Sequence, residues 1–204
     1  MTLLFVRHGQ SEGNASRIMQ GWLDTPLSDL GRRQAEAVAA RLATARATRI
    51  YASPLARAWD TATAIGAATG IEVERLDDVR EYNYGAAQGL TWDEVERRWG
   101  VSVGKWGTGL IPGEEGAAAF HARVSAAFEE LAERHREDTA IVVSHGGTIA
   151  RLVVHVLAAP REAYLPFATP VNTSITAFAW DRGRHALVSL NDSCHLHGVT
   201  EGGT

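Results

Sequence analysis

Cysteine is all but missing from these 204 residues: Cys194 stands alone, so no intrachain disulfide can form, and the composition suits a reducing cytoplasm. Lysine is almost absent as well, which leaves arginine to supply nearly all the positive charge in a chain of formal net charge −4. Nucleic-acid binding needs clustered Lys and Arg along a surface, and that requirement excludes a dedicated nucleic-acid protein here. Nor is there a hydrophobic run near the roughly 20 residues of a membrane span. The longest candidate, Ile149 to Ala159, is interrupted by Arg151 and His155. Met1-Thr2 lead directly into a strand pattern, without the basic and apolar regions of a secretory leader. Internal repeats, low-complexity linkers and composition breaks are also lacking, so one domain over residues 1–204 is expected, its core large enough to need no disulfide or metal staple.

What is present is an alternation of two periods. Short apolar runs at Leu3 to Val6, Arg49 to Ala52, Ile71 to Arg75 and Ala140 to Ser144 predict strands. Helical patterns at Ser28 to Thr44, Ser53 to Ala68, Glu115 to Arg136 and Gly147 to Leu157 follow or separate them. That order predicts an α/β fold with a mostly parallel sheet covered by helices. Ser28 reads as a helix N-cap, and Ser53-Pro54 as an N-cap followed by proline at the first helical position. Ser174 to Trp180 and Ala186 to Leu190, joined by Asp181-Arg182-Gly183-Arg184, predict an antiparallel hairpin at one edge, a surface that could pair across a dimer axis. Residues 86–116 hold Trp92, Trp99, Trp106, several glycines and Pro112, and read as a short helix plus loop beside the sheet: either a lid packed by its own tryptophans or a substrate-contacting one. The tail from Gly198 to Thr204 reads as frayed.

Parallel strands deliver their carboxyl ends to one rim, where α/β folds build their sites. The first strand ends in Arg7-His8-Gly9, the second in Ser53-Pro54-Leu55-Ala56-Arg57, and a later one in Ser144-His145-Gly146-Gly147. Arg57 then falls in a helix's first turn, where its charge adds to the positive pole; this is poor for the helix and good for an anion. A neutral imidazole beside arginines suits phosphoryl transfer, because it can attack phosphorus while the guanidinium forks take the equatorial oxygens. Neighbouring arginines should also hold His8 unprotonated. Glu81, in Arg80-Glu81-Tyr82-Asn83-Tyr84-Gly85, is the candidate proton donor for the leaving oxygen.

Taken together, Arg7-His8-Gly9 with Asn14, the run Gln20-Gly21-Trp22-Leu23-Asp24-Thr25-Pro26-Leu27 with Gly31, the SPLxRAxxTA pattern from Ser53 to Ala62 and Ser144-His145-Gly146-Gly147 resemble the histidine phosphatase superfamily, the group related to cofactor-dependent phosphoglycerate mutase. The resemblance spans residues 3 to about 196. It implies a phosphoglycerate mutase-like three-layer sandwich with an antiparallel edge strand, and His8 as the phosphorylated nucleophile. It further implies a phosphate pocket of Arg7, Arg57 and His145, Glu81 as general acid, and Asn14, Gln20, Gly21, Tyr84 and Gly146 around a small phosphorylated metabolite. No metal or other cofactor enters the mechanism so implied. Gln10, where many members carry glutamate, and Gly13, where mutases often carry an aromatic residue, depart from the pattern and bear on substrate contacts.

Several alternatives are weighed against this reading. In mutases of the family an arginine-rich insertion grips a second phosphate, whereas residues 86–116 offer only Arg97, Arg98 and Lys105, which favours a phosphatase. A catalytically weak binding module would carry a damaged nucleophile, clamp or acid, and all five positions are intact. No HExxH or paired-cysteine spacing supports a metal site among His8, His145, Glu81, His195 and His197. Asp77-Asp78 reads as a solvated turn, Glu114-Glu115 as a segment that orients the lid or caps the next helix, and His195 as a residue that packs or faces solvent. His121, His135, His155 and His185 are given no role.

Overall fold

The computed structural model describes residues 2–102, 106–160, 169–181 and 183–199. Among them run six strands, β1 (Thr2–Arg7), β2 (Arg49–Ala52), β3 (Val73–Arg75), β4 (Thr139–Ser144), β5 (Ile175–Asp181) and β6 (Arg184–Asp192). Six helices accompany them: α1 (Glu12–Ala15), α2 (Asp29–Leu42), α3 (Ala56–Thr69), α4 (Trp92–Trp99), α5 (Ala117–Arg134) and α6 (Gly146–Val156). The strands form one sheet in the order β3-β2-β4-β1-β5-β6. β3, β2, β4 and β1 are parallel, and β5 runs against both β1 and β6.

Alternation along the central strands divides the interior in two, since successive side chains point to opposite faces. On β4, Ala140 and Val142 join Leu3, Phe5, Phe120, Phe128, Ile149 and Leu152 under α5 and α6. Ile141 and Val143 join Val6, Val38, Ala58, Ala62 and Ile65 under α2 and α3. A sheet buried on both faces between helix pairs is the three-layer arrangement expected from the sequence. α2 buries Ala35, Val38, Ala39 and Leu42, spaced three and four apart, and Ser28 caps it by accepting the Gly31 N–H at 3.0 Å. A third, small core of Met19, Ala87, Val95, Val101 and Ile111 sits beneath α4, so the lid segment has packing of its own.

Predicted boundaries are corrected at several elements, among them β3, which spans Val73–Arg75 rather than starting at Ile71, and α3. α3 begins at Ala56, with Leu55 as an N-cap that makes no side-chain bond, rather than at Ser53-Pro54. Ser53 Oγ lies 2.8 Å from His145 Nε2, and the carboxylate of Asp24, from a distant loop, accepts the Ala56 N–H at 2.7 Å. The cap is thus supplied across space, which local sequence does not encode. Arg182 of the predicted hairpin turn, Lys105 of the lid and the end of the tail lie outside the described residues. Register shifts interrupt β6 against β5, and Asn191 has φ 60°, so the sheet's outer edge is bulged rather than flat.

The loop that leaves β1 lies directly on the first turn of α2. A Cβ at Gly31 would stand 1.9 Å from the Gln10 carbonyl oxygen, and one at Gly9 would stand 2.5 Å from the Gly31 oxygen. Gly31→Ala must therefore push the loop carrying His8 off the helix. Overpacking of this kind costs on the order of 1–3 kcal/mol, expected as a lower urea midpoint with an unchanged m-value.

Candidate active site

His8 follows β1 directly, its N–H donating to the Ser144 carbonyl at 2.9 Å and its carbonyl accepting from Asn172 Nδ2 at 3.0 Å. The ring is 3% exposed. Nδ1 lies 2.7 Å from the Gly9 carbonyl, which can only accept, so the ring proton sits on Nδ1. Nε2 is left with its lone pair and accepts from Arg57 Nε at 3.3 Å. Burial, then the charges of Arg57 and Arg7, hold the His8 pKa well below its usual value, against a smaller opposing effect of the Gly9 carbonyl. The result is a neutral imidazole with an available nitrogen.

Arg57, the second residue of α3, is 1% exposed. Its guanidinium donates to the Gly21 carbonyl at 2.7 Å and to the Leu23 carbonyl at 3.0 Å. Burial brings its pKa down to about 10, against the carboxylates of Glu81 and Asp24, so it remains charged at neutral pH. Arg7 donates to the Pro170 carbonyl at 2.5 Å. A Cβ at Gly146 would stand 2.6 Å from the Thr169 side chain, so glycine is what lets Thr169 pack against the start of α6, with the Arg7 guanidinium close beside it. His145, the N-cap of α6, is fully buried and packs edge-on to His8 with ring centroids 5.1 Å apart. Its pKa is also held well below the usual value, chiefly by burial and then by Arg57. His145 Nδ1 has no hydrogen-bond partner among the described residues, an atom that an anion's oxygen would satisfy.

Glu81 lines one cavity with Arg7, His8 and Arg57. Its carboxylate accepts the N–H of Gly147 at 2.9 Å, in the first turn of α6, and that of Tyr82 at 2.9 Å. A Cβ at Gly147 would lie 2.3 Å from Glu81 Oε1, so the close approach depends on that glycine. These groups surround a cavity of about 290 Å³.

Arg7, His8, Asn14, Gln20, Gly21, Arg57, Glu81, Tyr84 and Gly146, all singled out in the sequence, line this cavity. His145 is the exception: it stands behind His8 rather than in the wall. Sequence reasoning missed Ile18, Met19 and Thr169, carried Gly147 only as part of the Ser144-His145-Gly146-Gly147 motif, and left open Trp92 and Trp106; all of these also line the cavity. Trp99 packs on the lid's own core instead. Asn14 accepts from the Ser11 N–H at 3.1 Å, and Gln20 accepts from Ser11 Oγ at 2.7 Å and from Thr25 Oγ1. Thr61, whose hydroxyl accepts the Gly9 N–H at 3.0 Å, and Asn172 hold the His8 loop. Thr61 lies inside the SPLxRAxxTA pattern, whereas nothing in the sequence marks Asn172.

The remaining sequence candidates lie elsewhere. Arg97 and Arg98 are exposed on α4 and outside the wall. Asp77 pairs with Arg75 and Arg80 at the surface. Glu114 orients the lid by accepting from Tyr82 Oη and from the N–H groups of Gly107 and Gly109, and Glu115 pairs with Arg123; Gly116, not a glutamate, is the N-cap of α5. His195 meets Thr173 at 3.2 Å outside the cavity. His185 lies in β6 rather than in a turn, and it shares Glu129 with His155. Among the described residues no cluster of three or more His, Cys, Asp or Glu side chains fits a metal ion.

Two outcomes follow from this electrostatic arrangement. Because His8 stays neutral when folded but protonates near 6.5 when unfolded, the folded state binds fewer protons below that pH. Stability is therefore full above pH 6.5 and falls as pH drops toward the folded-state pKa, by up to about 1.4 kcal/mol per pH unit for this one residue. Urea denaturation at a series of pH values should show His8→Asn losing that part of the slope. Arg57→Ala should lower kcat for phosphate esters by about 10²–10³, with the loss in kcat rather than in KM alone, if the guanidinium stabilises charge that develops in the transition state.

The chain as a whole is similar to several known proteins. It is 31% identical over 198 residues to phosphoserine phosphatase 1 of Hydrogenobacter thermophilus, covering 95% of this chain and 93% of that protein. It is 37% identical over 176 residues to the glucosyl-3-phosphoglycerate phosphatase of Mycolicibacterium vanbaalenii, covering 78% and 76%. The solved structure of Bacillus stearothermophilus YhfR matches with a TM-score of 0.87 at 26% identity, over 96% of this chain and 98% of that one. Residues 3–193 match the model of branch 1 of the histidine phosphatase superfamily, and the chain belongs to that superfamily.

Proposed function

We propose that this protein hydrolyses small phosphate monoesters by a metal-independent route through a phosphohistidine on His8. The observation that carries this reading is a buried neutral imidazole whose Nε2 lies 3.3 Å from the Arg57 guanidinium, in one cavity with the Glu81 carboxyl group. Arg7 and Arg57, with His145 behind, take the phosphoryl oxygens. His8 Nε2 attacks phosphorus in line as the ester P–O bond breaks, and Glu81 gives its proton to the departing oxygen. Water then attacks the phosphohistidine, Glu81 takes its proton, and the N–P bond breaks to return neutral His8. Asn14, Gln20, Gly21, Tyr84 and Gly146 border the ester. Activity as a mutase is disfavoured because Arg97 and Arg98 point no charge into the wall where a second phosphate would be held.

Besides the charged groups the wall holds Ile18, Met19, Tyr84, Trp92 and Trp106, surfaces suited to the apolar or sugar face of a metabolite. This fits a substrate among small phosphorylated metabolites, the class in which the named phosphatase relatives fall. Residues 86–116 act as the lid of a single catalytic domain, and every group of the site comes from one chain. The outer edge at β6, bulged where it pairs with the start of β5, is the surface on which a second copy would pair in this reading. Among the described residues no helix is long and apolar enough to cross a membrane, and with Cys194 unpaired the reading places the enzyme in the cytoplasm.

His8→Ala should reduce hydrolysis of para-nitrophenyl phosphate to background and abolish an acid-labile phosphoryl label on the protein. Near-normal turnover by that variant would refute the nucleophile. Binding of ester without labelling of the intact protein would point to a binding module, and efficient interconversion of 3- and 2-phosphoglycerate to a mutase.

A further inference from the structure

Glu81 lies in a stretch, residues 80–84, that belongs to neither helix nor strand, so no ladder fixes the backbone of the proposed acid. Its carbonyl nevertheless accepts two side-chain donors. Trp22 Nε1 donates at 2.8 Å from the loop after α1, and Arg123 Nη2 donates at 3.2 Å from α5. Neither residue lines the cavity. We propose that Trp22 and Arg123 are positioning residues that grip the Glu81 main chain by its carbonyl and hold its carboxyl group in the cavity it shares with Arg57 and His8, where it meets the leaving oxygen. The proposal rests on reading Glu81 as the general acid.

Arg123 serves the whole segment. Its Nη1 donates to the carbonyls of Asp78 at 2.7 Å and Arg80 at 3.1 Å, and its guanidinium pairs with Glu115 at 2.7 and 2.9 Å. Glu115 in turn donates its N–H to the Asn83 carbonyl at 2.9 Å and accepts the Asn83 N–H at 3.2 Å. A planar fork held by a carboxylate is stiff, which is what a backbone without a ladder requires. Trp22 contributes something different. The carbonyls on either side of it, Gly21 and Leu23, are those that hold Arg57. One short loop therefore sets the buried cation with its main chain and the acid with an indole N–H. The Arg80 guanidinium stacks over the Trp22 ring at 4.8 Å, and the ring is 37% exposed, so replacing the indole need not disturb a core.

The test compares Trp22→Phe, which keeps a ring for Arg80 but removes the donor, with Arg123→Lys and Glu81→Gln, on monoesters from para-nitrophenyl phosphate to simple alkyl phosphates. Only poor leaving groups need the proton. Trp22→Phe and Arg123→Lys should each lower kcat on alkyl esters on the order of 10-fold or more, with KM little changed, and lower it far less on the aryl ester. Glu81→Gln should show the same dependence more steeply. Equal losses on aryl and alkyl esters, or no loss, in Trp22→Phe overturn the proposal even if Arg123→Lys is too unstable to assay. A flat profile for Glu81→Gln itself removes the acid and the proposal with it, whereas a steep profile there beside flat ones at Trp22 and Arg123 overturns the positioning role alone.

Discussion

The buried charge of Arg57 is the constraint around which the rest is arranged. A guanidinium that is 1% exposed cannot rely on water, and desolvating an ion is tolerable only where fixed dipoles replace the lost hydration. Here the carbonyls of Gly21 and Leu23 do so, which forces the chain from Gln20 to Asp24 to wrap the start of α3. Asp24 then caps that helix by accepting the Ala56 N–H. Placing a cation at a helix's positive pole is locally unfavourable, and the cap, the carbonyls and the Glu81 and Asp24 carboxylates offset it. The same loop carries Trp22 to Glu81, so the acid's backbone is tied to the means by which the cation is buried.

The sheet supplies the frame for this. β1 and β4 pair in parallel register up to Arg7 opposite Ser144, so the chain turns into His8 and His145 at the same level of the rim. Parallel strands need crossover helices, and those helices start at that rim, which brings the first turns of α3 and α6 to the site without further design. Glycines at 9, 31, 146 and 147 stand where a Cβ would strike backbone or a site side chain. Their role is close approach: loop to helix at Gly9 and Gly31, Thr169 and the Glu81 carboxylate to α6 at Gly146 and Gly147.

Most of the elements were readable because local signals and tertiary placement agree. The period-2 runs became β1, β2 and β4, Ser28 caps α2, and the residues beyond the strand ends meet in one cavity. β3 proved shorter than its apolar pattern, Val73–Arg75 rather than from Ile71, since only those residues pair with β2. Where reading failed, the cause is long range. Ser53 carries the local signature of a cap, but its hydroxyl meets His145, 92 positions away. Trp22 looks like a surface residue of a loop until its N–H is found on Glu81, 59 positions on. Arg123 reads as one more helical arginine, because nothing local says that α5 crosses the segment 78–83. The family pattern marks which residues meet the phosphate, while the residues that hold those groups are visible only in the packing.

Burial acts on the two kinds of base in the site in a way that favours an anion. It lowers the proton affinity of His8 and His145 enough to leave both neutral, yet an arginine brought to about 10 is still charged at pH 7. Burial thus leaves the proposed nucleophile neutral and the proposed phosphate clamp charged together. The cost is an interior with two neighbouring cations, Arg7 and Arg57, for which Glu81 is the carboxylate in the same wall. In the proposed reaction a phosphate dianion enters between them, supplies the opposite charge that the fold withholds and accepts from their guanidinium groups. It therefore binds the folded state in preference to the unfolded one and stabilises it by linkage. In that reaction the equatorial oxygens lie toward both guanidinium groups while the leaving oxygen takes its proton from the acid form of Glu81, so the site matches the charge distribution of the transition state more closely than that of the ester.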